Sequence, residues 1–252
     1  MILHRLMFQH VKHIRDLDTG TNEHLEHIRH GIDRDFSGIQ ARDSIAWLKK
    51  SGVKLDETTR VLDLGCGNGY FGAEFLKIGC DASFADVDDY VSSEIPEHRF
   101  YKIDLNMDDL SFLGRYDLVI FSNVFEHLAE PARLIALIDK LLAPKGALYF
   151  SWTNWLSPWG GHEFSPFHYL GPHLGPRACD RVVGKPRVNV PFETIFLTYI
   201  GRTLRMIRRN TGLRIVRMAP RYYSELSFIT RVPILREFLT WNCAILIEST
   251  ES

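Results

Sequence analysis

From Arg60 onward the chain switches repeatedly between two hydrophobic periods. RVLDL (60–64), DASFAD (81–86), FYKIDL (100–105), YDLVIFSNV (116–124) and GALYFSW (146–152) are short runs of apolar, branched and aromatic residues that predict strands. Between them, YFGAEFLKIG (70–79) and PARLIALIDKLLAPKG (131–146) predict helices. In the second, Leu134, Ile135, Leu137, Ile138, Leu141 and Leu142 recur at helical spacing. Strands alternating with helices imply a mostly parallel sheet covered on both faces. Ahead of this core, NEHLEHIRHGIDRDF (22–36) and ARDSIAWLKKSG (41–52) predict two helices, the second closed by Gly52. Behind it, TIFLTYIGRTLRMIRRN (194–210) predicts a helix ended by Gly212. LRIVRMA (213–219) and WNCAILIEST (241–250) predict two last strands, with SFITRVPILREFL (227–239) crossing between them. Over 153–193 the rhythm stops, and a stretch rich in Pro, Gly, His and aromatics is too long and too apolar to be an idle connection. One domain is expected over 1–252: N-terminal helices (1–52), a core (58–152), a cap insertion (153–193) and a C-terminal helix with strands (194–252).

A chain of 252 residues can bury a substantial core. Its 30 Lys and Arg balance 31 Asp and Glu, so overall charge selects no partner. The distribution does more: between Arg181 and Arg221 stand ten basic residues and one acid, Glu193. Cys66, Cys80, Cys179 and Cys243 have no metal-ligand spacing, which suits a reducing cytosol and predicts a cytoplasmic protein. The opening MILHRLMFQHVKHIRDLD lacks a signal-peptide core, and no run approaches the roughly 20 apolar residues of a membrane span. His24, His27 and His30 would line one side of a helix. With no accompanying carboxylate or cysteine motif they read as a solvated polar face, and no metal is predicted.

Candidate chemistry begins at VLDLGCGNGYFG (61–72), where a strand runs into four glycines and a helix. Gly67 to Gly72 matches G-x-G-x-x-G, the phosphate-cradling turn of dinucleotide enzymes, while Gly65, Gly67 and Gly69 also form G-x-G-x-G behind Asp63. Both patterns anticipate an adenosine ligand and an acid at the end of the next strand, supplied by Asp86. Asp63 separates them. A pyrophosphate at a helix N-terminus requires donors and positive potential, which a carboxylate two residues before the first glycine would oppose. S-adenosylmethionine has an ammonium and a sulfonium and no phosphate, so the same carboxylate suits it.

VLDLGCGNG followed by FADVD, DLNMDDL, FSNVFEHL and LLAPKGALYFSW resembles the class I S-adenosylmethionine-dependent methyltransferases over 58–152. The later SPWGGHEFSPFHYLG and RVPILREFLTWN look like a branch of uncharacterised bacterial members. The resemblance implies an α/β, Rossmann-like, doubly wound sheet of seven strands whose last strand is antiparallel. It implies cofactor contacts from Asp63, Gly65, Cys66, Gly67, Gly69 and Tyr70 around the turn. It also implies Asp86 and Val87 at the ribose, Asp104 and Leu105 at the adenine, and Asn123, Val124 and His127 beside the end of the fourth strand. LAPKG departs from the usual Pro-Gly-Gly turn by carrying Lys145.

SWTNWLSPWGGHEFSPFHYLGPHLG (151–175) begins where the fifth strand ends, at the edge of the sheet where open α/β folds bind ligands. An acceptor hydroxyl would gain from a base of near-neutral pKa. His162, after Gly160-Gly161, is the first candidate and His168 the second, with Glu163 orienting the ring and His127 a rival from the fourth strand. Arg202, Arg205, Arg208 and Arg209 suggest a phosphate-bearing acceptor, a lipid-linked glycan or peripheral contact with an anionic membrane. Nucleic acid is disfavoured, because no recognised binding module is attached. The reading is thus a methyltransferase on a small-molecule, sugar or lipid-linked hydroxyl. Its alternatives are a non-catalytic cofactor-binding partner subunit and a nicotinamide-dependent oxidoreductase, and oligomeric state is left open.

Overall fold

The structure, a computed structural model, describes residues 22–95, 98–184 and 189–251, with the side chains of 22–33 outside that set. The side chains of His24, His27 and His30 therefore lie outside the described residues, as do the opening 21 residues and Lys185 and Arg187 of the basic run. Helix α1 (Asn22–Lys50) leads into β1 (Arg60–Leu64), α2 (Tyr70–Lys77), β2 (Asp81–Asp86), β3 (Arg99–Lys102) and β4 (Tyr116–Ser122). Then follow α3 (Pro131–Leu141), β5 (Leu142–Thr153), α4 (Gly171–Val183), α5 (Ile200–Arg208), β6 (Leu213–Pro220), α6 (Pro233–Leu239) and β7 (Asn242–Ser249). The seven strands form one sheet in the order β3-β2-β1-β4-β5-β7-β6. β1 to β5 pair in parallel, and β7 enters antiparallel between β5 and β6. This is the sheet the motif resemblance implied.

Alternation along the strands builds two cores. Leu62, Leu64, Val119, Phe121, Leu148, Phe150, Ile245 and Ile247 face α3 and α5, meeting Leu134, Ile138, Leu204 and Ile207. Val61, Leu118, Ile120, Tyr149 and Leu246 face the other way, onto Ala41, Ile45 and Leu48 of α1 and Phe71 and Phe75 of α2. Each such aliphatic side chain taken from water is worth about 1.5–3 kcal/mol. Among the described residues no helix is long and apolar enough to cross a membrane, and the four cysteines are buried and form no disulfide.

The helix expected over 131–146 ends at Leu141 and β5 begins at Leu142, and three further elements differ from the sequence-based expectation. The two N-terminal helices are one, because Gln40, Ala41, Ser44, Ile45 and Leu48 continue a single buried stripe and Ser44 Oγ bonds both the Gln40 carbonyl and Tyr149 Oη at 2.7 Å. Helix α5 starts at Ile200, not at Thr194. The Glu237 carboxylate accepts the Ile200 and Gly201 N–H groups at 2.9 and 2.7 Å and fixes the start there. Residues 195–198 instead pin the insertion, with Phe196 N–H donating to the Glu126 carbonyl and Trp155 N–H to that of Thr198. Finally, the insertion contains α4, whose Pro172, Pro176, Gly171 and Gly175 read as breakers in sequence. Burial of Cys179 with Trp155, Phe164 and Ile195 holds it in place.

Candidate active site at the carboxyl edge of the sheet

The glycine turn leaves β1 with Gly65, Gly67 and Gly69 at φ +75°, +51° and +74°, a region side chains other than glycine enter at a cost. Its flanks are packed and its centre is open. A Cβ on Gly65 would stand 2.5 Å from Val124 and one on Gly69 2.8 Å from Ile95, whereas one on Gly67 would meet nothing within 4 Å. Ligand backbone contact is therefore possible at Gly67. Asp86 braces the turn from β2, accepting Gly67 N–H with Oδ2 and Val87 N–H with Oδ1, both at 2.7 Å. A carboxylate offers about four lone-pair sites, so two stay free for hydroxyls. Asp63 is 2% exposed and accepts Gly72 N–H at 2.8 Å. Burial pushes its pKa up to about 7; the Gly72 bond pulls it down and the Asp86 charge pushes it further up.

Cys66 is buried beside the turn, and burial raises its thiol pKa far above the usual range. Tyr70 lines a depression of about 330 Å³ with Arg34, Ala73, Glu74, Lys77, Glu94 and Ile95. That depression includes neither Asp63 nor Asp86, so the groups suited to a cofactor lie elsewhere, along the sheet edge. Val87 is exposed. Asp104 holds the next wall, its Oδ1 accepting Asn106 N–H at 2.8 Å. Arg133 was missed in sequence. Its guanidinium donates to the carbonyls of Leu105, Asn106, Met107 and Asp108 at 3.3, 3.0, 2.8 and 2.5 Å, fixing the loop that carries Asp104 and Leu105.

Beyond β4, Asn123 takes φ +58° and donates its N–H to the Ser151 carbonyl at 2.8 Å. Its Oδ1 accepts from Asn242 Nδ2 at 2.7 Å and from Arg221 Nη1 at 3.4 Å. Arg221 lies over Phe71 and Tyr149, its guanidinium carbon 5.2 and 5.9 Å from the ring centroids. Its Nε and Nη2 are buried without partners. Those two donors form the side-on fork that matches a carboxylate. In sequence Arg221 only closed the basic run. Among the described residues of that run, Arg202, Arg205, Arg208 and Arg209 are exposed on and just after α5, Arg214 pairs with Glu248, and Arg217 lies over Trp47.

The turn after Asn123 brings Glu126 and His127 to His162 of the insertion. Glu126 is 1% exposed; its Oε1 accepts Thr153 N–H at 3.0 Å and its Oε2 has no partner. His127 Nδ1 lies 2.5 Å from the Thr194 carbonyl, which places the ring proton on Nδ1. The His127 and His162 ring centroids are 5.7 Å apart at 77°. His162 has φ +49°, and its buried Nε2 has no partner. Burial holds its pKa below the usual histidine value; Glu126 pulls it back up, and His127 adds to the lowering. One donor atom from each of Glu126, His127 and His162 lies within 4.8 Å of the other two.

The remaining candidates are placed differently. His168 is 1% exposed, bonds the Ser157 carbonyl through Nε2 at 3.0 Å, and packs under Gly161, where a Cβ would come within 2.5 Å of it. Glu163 has both carboxylate oxygens on Asn189, at 2.6 Å to its N–H and 2.6 Å to its Nδ2. The acid beside the His162 ring is Glu126, the first letter of the EHL element, which sequence reasoning passed over in favour of its neighbour.

A family model described as a methyltransferase domain matches residues 39–217. An uncharacterised methyltransferase of Mycolicibacterium gilvum is 31% identical over 226 residues, covering 85% of this chain and 88% of its own. One from Mycobacterium ulcerans is 32% identical over 230 residues, covering 84% and 86%. Among solved structures, an S-adenosylmethionine-dependent methyltransferase from Mesorhizobium loti aligns with a TM-score of 0.54 at 18% identity, over 82% of this chain and 97% of its own. The chain belongs to the methyltransferase-domain family and carries the class I fold of S-adenosylmethionine-dependent methyltransferases.

Proposed function

We propose that the protein methylates a hydroxyl of a small-molecule, sugar or lipid-linked acceptor, received between the end of β4 and the 153–193 insertion. S-adenosylmethionine, when bound, supplies a methyl group made electrophilic by its sulfonium. Gly65, Gly67 and Gly69 would admit it, the free lone pairs of Asp86 would accept from its ribose hydroxyls, and Asp104 with Leu105 would meet its adenine. Asp63 would stabilise its ammonium through the turn. The free fork of Arg221 suits its methionine carboxylate.

The observation that carries the acceptor side is that Glu126 Oε2 and His162 Nε2 are buried without partners, on residues that each bring a donor atom within 4.8 Å of the other, and a hydroxyl would complete their bonding. His162 and His127 would orient that hydroxyl and Glu126 would hold the positive charge that develops beside it. Positioning of this kind can contribute ~7–11 kcal/mol to a displacement. His168 supports the loop under Gly161, and Glu163 fixes it through Asn189. The exposed arginines of α5 suit a phosphate on a larger acceptor. The test is S-adenosylhomocysteine release on adding fractionated cell extract, with the product's new methyl located by mass spectrometry. O-methylation is the expected result; methyl on nitrogen or carbon would overturn the hydroxyl assignment.

A further inference from the structure

Polar atoms buried without partners are costly, at about 1–3 kcal/mol each; Glu126 Oε2 and His162 Nε2 are two such atoms, on residues that each bring a donor atom within 4.8 Å of the other. The neighbouring His127 is arranged as a ligand would be. Its Nδ1–H is given to the Thr194 carbonyl, which leaves the Nε2 lone pair free, and metal-bound histidines nearly always use their second nitrogen in this way. Glu126 and His127 sit on one short turn, Phe125–His127. That turn is anchored by the Phe196 N–H to Glu126 carbonyl bond at 2.6 Å and the Thr153 N–H to Glu126 Oε1 bond at 3.0 Å. The third donor comes from the insertion, just after Gly160-Gly161.

We infer that Glu126, His127 and His162 form a binding site for one divalent transition-metal ion, with zinc the first candidate. Two imidazoles and a carboxylate are a donor set such ions prefer, and three protein ligands leave a coordination position open. Ligands held at ~2.0–2.2 Å around a tetrahedral ion stand closer together than 4.8 Å, so closing the trio requires side-chain rotation of about an ångström. Glu126 Oε2 and His162 Nε2 make no bond that this rotation would break, while the Nδ1–Thr194 and Oε1–Thr153 bonds act as pivots at His127 and Glu126. The role of the ion rests on the proposed acceptor site. A cation there would lower the pKa of an acceptor hydroxyl brought against it. The hydroxyl proton leaves to solvent, the acceptor oxygen bonds the methyl carbon, and the carbon–sulfur bond breaks with its electron pair remaining on sulfur.

The full-length protein, stripped with a chelator and dialysed, would be titrated with Zn²⁺ by calorimetry and with Co²⁺ by visible absorption, with S-adenosylhomocysteine binding measured in parallel. One Zn²⁺ per chain is expected, together with cobalt ligand-field bands of a low-coordinate site. Glu126→Gln, His127→Ala and His162→Ala should each weaken the ion by roughly 10-fold or more, and Glu126→Gln and His162→Ala should still bind the nucleoside, which verifies folding. His162→Cys should retain the ion and add a thiolate-to-cobalt charge-transfer band. Binding unaffected by all three substitutions would overturn the inference. So would binding lost only on replacing His24, His27 and His30, or failure of His162→Cys to hold cobalt in a chain that still binds the nucleoside. If the nucleoside binds and the ion does not, the metal site fails and the methyltransferase reading stands; the reverse result would sink that reading instead.

Discussion

The cofactor side and the acceptor side of this cleft are built at different ranges along the chain. At the turn, Asp63 reaches a residue nine positions away and Gly67 one nineteen away. At the acceptor wall, Glu126 is tied across 27 positions and His127 across 67, while between the two sides Arg221 and Asn123 are tied across 98 and 119. The first side starts from one βαβ unit, which supplies the glycines and the terminal acid, and later elements add Asp104, Leu105 and Arg221 to it. The second depends on the insertion and the last two strands arriving at the same edge. A local unit can be reused for any acceptor, while the distant contacts depend on this chain's own insertion and last strands.

The largest expected effect tests whether the two sides separate. His162→Ala should lower turnover by roughly 10²-fold or more, through loss of acceptor positioning, and leave S-adenosylmethionine affinity unchanged in calorimetry. If the cofactor affinity falls in parallel, the sides are not independent. His168→Ala should instead lower thermal stability, because it removes a buried ring and its bond to Ser157.

Next in size is Asp86→Ala, which removes the brace on Gly67 and Val87 along with the proposed ribose contacts. Bonds to a charged acceptor are worth about 1.5–3 kcal/mol each, so the dissociation constant should rise by roughly 10- to 100-fold, with turnover at saturation little changed. An unaltered constant would mean the ribose lies elsewhere. Arg221→Lys keeps the charge and loses the fork, and should weaken S-adenosylhomocysteine by about 10-fold while sparing methylthioadenosine, which has no carboxylate. Equal losses for both ligands would remove Arg221 from the methionine end.

The same difference in range explains what could be read beforehand. Sheet class, strand positions and the Asp63–Asp86 pair follow from periodicity and a short motif, so they were visible in the sequence. Helix α4 was hidden because its two prolines and two glycines argue against a helix that only burial of Cys179 and its neighbours sustains. The single α1 reads as two helices in sequence for the opposite reason: the weak formers around Gly38 are carried through by packing against Glu74 of α2. Arg221 could not be told from nine other basic residues until β6 delivered it over Phe71. Glu126 looked like one acid in a familiar triplet, and only its burial beside His162 distinguishes it from Glu163.

The smallest effect is a proton. In the ligand-free fold the Asp63 carboxyl sits at a pKa of about 7 against an ordinary 3.8, chiefly through burial. Between those values the native state holds a proton that the unfolded chain has released. Stability from this group is therefore greatest at the acid end and is lost as pH rises through about 7. A methionine ammonium bound at the turn favours the charged carboxylate and reverses the preference. Binding at pH 6 should then release a proton, and affinity should rise with pH by less than about tenfold per unit, levelling off above 7. Calorimetry of S-adenosylmethionine in two buffers of different ionisation enthalpy measures the released proton directly. In Asp63→Asn, whose amide oxygen can still accept from Gly72, the release should disappear. If the variant releases the same proton as the wild type, the titrating group is not Asp63, and its neighbour Asp86 is the next to examine.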